Sequence, residues 1–160
     1  MQSCFARLLI YYIFIIMEDR MIHYILENNI QKLIDIVEKG ANIHHQNDYP
    51  LILACSKGFS NIVSLIINLY NPNINTQNGL PLRMACIYGN FDIVICLIEN
   101  NADINADEGG ALIWSAYKNH NEIAKYLISK GADTSVRDNL ILKIYTYKNN
   151  VEMLNYLWNL

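Results

Sequence analysis

Apolar residues recur at helical spacing in short bursts along the chain. Leu51, Ala54 and Cys55 stand at i, i+3 and i+4, and Leu82, Ala85 and Cys86 repeat the arrangement, so each trio shares one face of a helix. A second burst follows in each segment: Ile62-Val63 with Leu65-Ile66, Ile93-Val94 with Leu97-Ile98, Ile123-Ala124 with Tyr126-Leu127-Ile128, and Met153-Leu154 with Tyr156-Leu157. Ahead of the second burst stands Asn28, Gly58, Gly89, Asn119 or Asn149, the residue types that adopt left-handed backbone most cheaply and so end helices. The second burst stops at Gly40, Asn101 or Gly131 by the same chemistry. The pattern predicts pairs of short antiparallel helices, each of about eight to ten residues, too short to persist alone and therefore stacked on their neighbours.

The register is repetitive. Gly40-Ala41-Asn42-Ile43 returns as Pro72-Asn73-Ile74-Asn75, Asn101-Ala102-Asp103-Ile104-Asn105 and Gly131-Ala132-Asp133-Thr134, at a period of 30–31 residues. Pro50-Leu51-Ile52-Leu53-Ala54-Cys55 returns in step at Pro81 to Cys86, Ala111 to Ala116 and Ile141 to Thr146. Five units result, about 17–46, 47–77, 78–107, 108–137 and a shortened 138–160, preceded by an apolar segment over 1–16. The architecture expected is an all-α helical solenoid, in which each unit touches only the next.

The phrases Pro-Leu-x-x-Ala at Pro81 to Ala85, Gly-x-x-x-Ile-Val at Gly89 to Val94, and Asn-Ala-Asp-x-Asn at Asn101 to Asn105 resemble the ankyrin repeat, over nearly all of residues 17–160. Two departures stand out. The Thr and His of the family's Thr-Pro-Leu-His opening are missing from every unit, and with them a hydrogen-bonding device that ties adjacent repeats. Gly40 to Leu51 is 11 residues, too few for the family's β-hairpin loop, so a plain short turn is expected in its place. Short-loop, Asn- and Ile-rich repeats of this kind resemble those that large A/T-rich DNA viruses carry in many copies. The resemblance implies a non-enzymatic protein-protein interaction module, with a viral modulator of host proteins as its narrower form.

Composition narrows the function. Apolar residues make up 52% of the 160 and charged ones 17%, a balance that folds rather than stays disordered. The net charge of −3 gives no electrostatic reason to approach phosphate backbones, so nucleic acid is not an expected partner. Ile is the commonest residue and Asn the second, both with A/T-rich codons. Cys4, Cys55, Cys86 and Cys96 lie at no metal-binding spacing, and Cys55 and Cys86 share one repeat position, which points to a reducing, cytoplasmic setting (host cytoplasm if viral) without disulfides. A monomer is expected.

No enzyme constellation is present: no glycine-rich phosphate loop, no Gly-x-Ser-x-Gly elbow, no His-Glu-x-x-His. No cofactor, metal or catalytic residue is therefore assigned. His44-His45 reads as a solvated loop and His120 as a helix cap.

The informative feature is a surface. The resemblance implies that residues just before each first helix's terminal Gly or Asn line a concave, partner-contacting face. There stand Lys57, Tyr88, Tyr117, Lys118, Tyr147 and Lys148, a stripe of Tyr, which binds with large area at small entropic cost, and Lys, which suits acidic partners. Asn105, eight residues after Leu97 and next to Asp103-Ile104, resembles the site at which asparaginyl hydroxylases modify ankyrin domains; the competing reading is an Asn that bonds the adjoining loop. From Leu8 to Met17 run ten uninterrupted apolar residues, short of the ~18 that span a bilayer. This segment is open to three readings: a helix folded back over the solenoid's open end, a membrane-surface tether acting through residues 5–17, or a leader ahead of a start at Met17. The tether reading makes the protein a membrane-associated accessory protein.

Overall fold

A computed structural model describes the backbone from residue 2 to 160 and side chains from residue 12 onward. The described residues form ten helices and no strand, in two compact units. Met1–Asn73 holds α1 (Gln2–Leu26), α2 (Ile30–Glu38), α3 (His45–Lys57) and α4 (Ser60–Tyr70). Ile74–Leu160 holds α5 (Thr76–Tyr88), α6 (Phe91–Glu99), α7 (Ala106–Lys118), α8 (Asn121–Ser129), α9 (Val136–Tyr147) and α10 (Val151–Trp158). Odd and even helices pair within each repeat, and α5, α7 and α9 pack side by side in the second unit. The architecture is all-α, a succession of paired short helices, as the repeat pattern requires.

The helix stops are where the sequence places them. Asn28, Gly58, Gly89, Asn119 and Asn149 all have positive φ, between 53° and 77°. The next residue's N–H then turns back to the carbonyl five residues before it, Phe59 to Ala54 (3.1 Å), Asn90 to Ala85 (2.9 Å), His120 to Ser115 (2.9 Å) and Asn150 to Tyr145 (2.9 Å), which satisfies carbonyls that the helix end would orphan.

The shortened loop is not a plain turn. Three successive residues are left-handed at the head of each odd helix from α3 on: Gln46-Asn47-Asp48, Gln77-Asn78-Gly79, Asp107-Glu108-Gly109 and Arg137-Asp138-Asn139. Left-handed backbone costs an L-residue roughly 1–2 kcal/mol, which explains the run of Asn, Asp and Gly. Pro50 and Pro81 follow one residue later, at the first right-handed turn, where a proline loses no hydrogen bond. Gly79 is constrained twice: its φ is +75°, and a Cβ there would lie 2.5 Å from the Cβ of Ala106 in the next repeat.

Between the helices the buried face repeats. In the first unit Met21, Ile25, Leu33, Leu51, Ala54, Cys55, Ile62, Val63 and Ile66 are fully covered. In the second, Leu82, Ala85, Cys86, Ile93, Val94, Leu97, Leu112, Ser115, Ala116, Ile123, Ala124 and Leu127 are covered in the same register, as are Ile141, Tyr145 and Met153 of the last repeat. Tyr145 occupies the position held by Ala54, Ala85 and Ser115. Its ring is wholly buried and its hydroxyl has no hydrogen-bond partner, and burial pushes the phenol well above its ordinary value. Burial likewise pushes the Cys86 thiol far up, so it stays protonated and unreactive.

The N-terminal segment runs on into the first repeat. From Gln2 to Leu26 it is one helix, because neither Gly nor Pro occurs there to break it. Tyr12 through Ile16 are 38–63% exposed, and at about 100° per residue five successive positions sample every face of the helix. Among the described side chains of α1, Met21 and Ile25 are the buried ones.

Candidate interaction face

Each repeat is tied to the next by loop side chains rather than by the missing Thr and His. Asn75 Oδ1 accepts from Asp103 N–H (2.7 Å) while its Nδ2 donates to Asn101 O (3.2 Å). Asn105 does the same one repeat later, accepting from Asp133 N–H (2.9 Å) and donating to Gly131 O (3.2 Å). Both atoms of the Asn105 amide are thereby engaged, although the residue is exposed. In the first unit the equivalent position is His44, which lacks this geometry, and Asp48 substitutes. Its Oδ2 accepts from Asn73 N–H (3.1 Å) and its Oδ1 is held by His44 Nδ1 (2.6 Å).

His44 is an exposed turn residue, as a solvated loop requires, and it also holds the Asp48 carboxylate. His45 Nδ1 reaches Glu18 Oε2 on α1 at 2.9 Å, away from His44, so the adjacent pair serves two different carboxylates. His120 takes the first position before α8 but makes no cap bond; its Nε2 lies 3.2 Å from Ile87 O in the preceding repeat. The ring lies against Gly89, where a Cβ would come within 2.7 Å of it. Among the described residues no group of three His, Cys, Asp or Glu is placed to hold a metal ion.

With the ends of α5, α7 and α9 fixed by their caps, the Tyr and Lys positions project from the last turn. Tyr88 is 59% exposed, Tyr117 56% and Tyr147 92%. Lys118 closes α7 and Lys148 follows α9, where a cation complements the carbonyl end of the helix dipole. The structure brings four of the six together: Tyr117, Lys118, Tyr147 and Lys148 line an open cleft of about 510 Å³, with Leu140, Lys143 and Ile144 of α9. Lys148 Nζ lies 5.3 Å from the centre of the Tyr117 ring, and the Trp114 ring meets Tyr117 in a T-shaped arrangement at 5.6 Å. Tyr88 stands exposed at the end of α5, outside this cleft, and Lys57 is exposed at the end of α3 in the first unit. Sequence reasoning missed Leu140, Lys143, Ile144 and Trp114. Their spacing carried the signal, since Leu140, Ile144 and Tyr147 step along one helical face and Trp114 precedes Tyr117 by three.

A second cavity, of about 640 Å³, lies in the first unit between α1 and α3, lined by Phe14, Ile15 and Tyr49 together with Glu18, which is already engaged by His45.

Comparison with known proteins agrees with this geometry. The family model described as ankyrin repeats (3 copies) matches residues 21–108 and 68–138. No curated protein matches the chain. Ankyrin repeats are generally protein-protein interaction modules and typically non-enzymatic. With well over half of its length matched, and with helix pairs, caps and buried register repeating at one period, the chain belongs to the ankyrin-repeat family.

Proposed function

We propose that this protein is a non-enzymatic module that captures a partner protein through the ends of its odd-numbered helices. The carrying observation is the set of Tyr88, Tyr117 and Tyr147, large, exposed and in the last turn before a helix stop: Tyr117 and Tyr147 share one repeat position with Lys118 and Lys148 beside them, and Tyr88 stands at the position those lysines occupy. An exposed tyrosine offers contact area that no core requirement explains, and aromatic anchors dominate binding energy. Crosslinking and affinity capture with the full chain, compared with Tyr88→Ala and Tyr117→Ala, tests the assignment. Both variants should lose the partner, whereas Tyr70→Ala, at the end of α4, should keep it. Retention by both tyrosine variants would move the binding face elsewhere. The A/T-rich composition and shortened loops support a viral origin, with a host cytoplasmic protein as partner.

A second reading rests on a different observation. Tyr12 to Ile16 are apolar and 38–63% exposed, which supports contact of this part of α1 with a membrane surface. No helix among the described residues is long and apolar enough to cross a membrane. Vesicle flotation of the full chain and of a form lacking residues 1–16 tests it: only the full chain should float.

A further inference from the structure

We propose that the cleft between α7 and α9 takes an acidic peptide segment that carries an apolar side chain at its centre. This rests on the reading of the Tyr and Lys positions as a binding face, and adds the chemistry of the occupant. Lys118, Lys143 and Lys148 ring the cleft and no carboxylate lines it. Of the four other cations in the same unit three are neutralised: Arg83 pairs with Asp107, Lys125 with Glu152 (2.6 Å) and Arg137 with Glu108 (3.1 Å), while Lys130 lies over the Tyr126 ring. No such ion pair is formed by the three cleft lysines among the described residues. In a chain of net charge −3 this local excess of positive charge marks a place built for anions, and a partly enclosed cleft focuses its field.

The floor sets the second requirement. Leu140 and Ile144 are one helical turn apart and half-buried, and the exposed rings of Tyr117 and Tyr147 stand beside them. The floor accepts an aliphatic or aromatic side chain and offers it no hydrogen bond. Lys148, already drawn over the Tyr117 ring, holds that wall in place. The result is an apolar seat within a cationic rim, which selects a segment with glutamates or aspartates on both sides of a Leu, Met or Phe. A nucleic acid strand fits less well, since the chain as a whole, at net charge −3, repels polyanions.

The probe is a fluorescein-labelled peptide with a central Leu-Leu flanked on each side by glutamates, titrated into the full-length protein and followed by fluorescence anisotropy. Binding should weaken with added salt and fall by about tenfold in Lys143→Glu, with recovery in Lys143→Arg and no change in Lys39→Glu. A peptide with Ser-Ser at its centre should bind distinctly less well; equal binding would reduce the site to undirected charge attraction and overturn the proposal. A labelled oligothymidylate that binds more tightly than the peptide would also overturn it. If the acidic peptide fails to bind while capture of a partner still depends on Tyr88 and Tyr117, the occupant is wrong and the binding face stands. If capture is indifferent to those tyrosines as well, both readings fall. Circular dichroism of Lys143→Glu, an exposed site, confirms that loss of binding is not loss of fold.

Discussion

Replacing Tyr145 with Phe should stabilise the protein. The side chain is 0% exposed, and its hydroxyl gives up water on folding without gaining a hydrogen-bond partner. A buried, unsatisfied hydroxyl costs about 1–3 kcal/mol, and Phe removes that cost while keeping the ring that fills the last repeat. Deleting one oxygen also leaves a small void, which offsets a fraction of the gain. A net rise of about 1–2 kcal/mol is therefore expected, and for a chain of this size each kcal/mol moves Tm by roughly 2–4 °C. Tyr145→Ala is the matching control: it forfeits the ring and should cost about 3–5 kcal/mol. Repeat proteins can unfold piecewise, so urea titration should be joined by amide hydrogen exchange in α9 and α10, where the gain should be concentrated. A loss of stability in Tyr145→Phe would refute the reasoning, because the hydroxyl would then have to be paired in solution.

Three further outcomes follow from the same structure. Leu82→Ala and Leu112→Ala should each cost about 2–5 kcal/mol in urea unfolding, since both side chains are fully covered at equivalent positions of α5 and α7; a cost below about 1 kcal/mol at both would contradict the repeat register. Stability should fall at alkaline pH. Burial raises the Cys86 thiol above its ordinary 9.0 and the Tyr145 phenol above its ordinary 10.0, so beyond those values the unfolded chain sheds protons that the folded one retains. Each group then removes up to about 1.4 kcal/mol per pH unit, and the double variant Cys86→Ala/Tyr145→Phe should show a flatter dependence of urea midpoint on pH; an unchanged slope would assign the loss to other groups. Deleting residues 1–16 should change stability by less than about 1 kcal/mol, because Met21, Ile25 and the Glu18 contact to His45 are retained; failure of the truncated chain to fold would make the segment integral to the first repeat.

Helix pairs, stops and buried register were legible because they depend on local chemistry. Gly58, Gly89 and Asn119 announce left-handed stops wherever they stand, and Leu51, Leu82 and Leu112 need only helical spacing to share a face. The left-handed triplets were harder to see. Gln46, Glu108 and Arg137 have no intrinsic preference for positive φ, and adopt it at the head of the next helix, within the shortened loop. The ties made by Asn75, Asn105 and Asp48 were hidden for another reason: each bond reaches into a neighbouring repeat, and a sequence does not display which amide faces which carbonyl. The apolar run from Leu8 to Met17 left a cap, a tether and a leader open, because its length and hydropathy fit all three. In the cleft the tyrosines and two lysines were readable as a register, while Leu140 and Ile144 looked like ordinary core until the structure left them half-open.

The loop ties have a kinetic consequence. The side-chain bonds that join one repeat to the next span 24 to 33 residues, from Arg83 with Asp107 to His120 with Ile87. None of these bonds waits for a distant part of the chain to arrive, and the entropy of closing such loops varies little from one to another. Low contact order of this kind favours rapid folding that begins at any repeat and spreads to its neighbours. It also makes the array modular. Inserting or removing one whole period leaves the reach of each remaining tie unchanged, so such a chain can change length by duplication without redesigning its contacts.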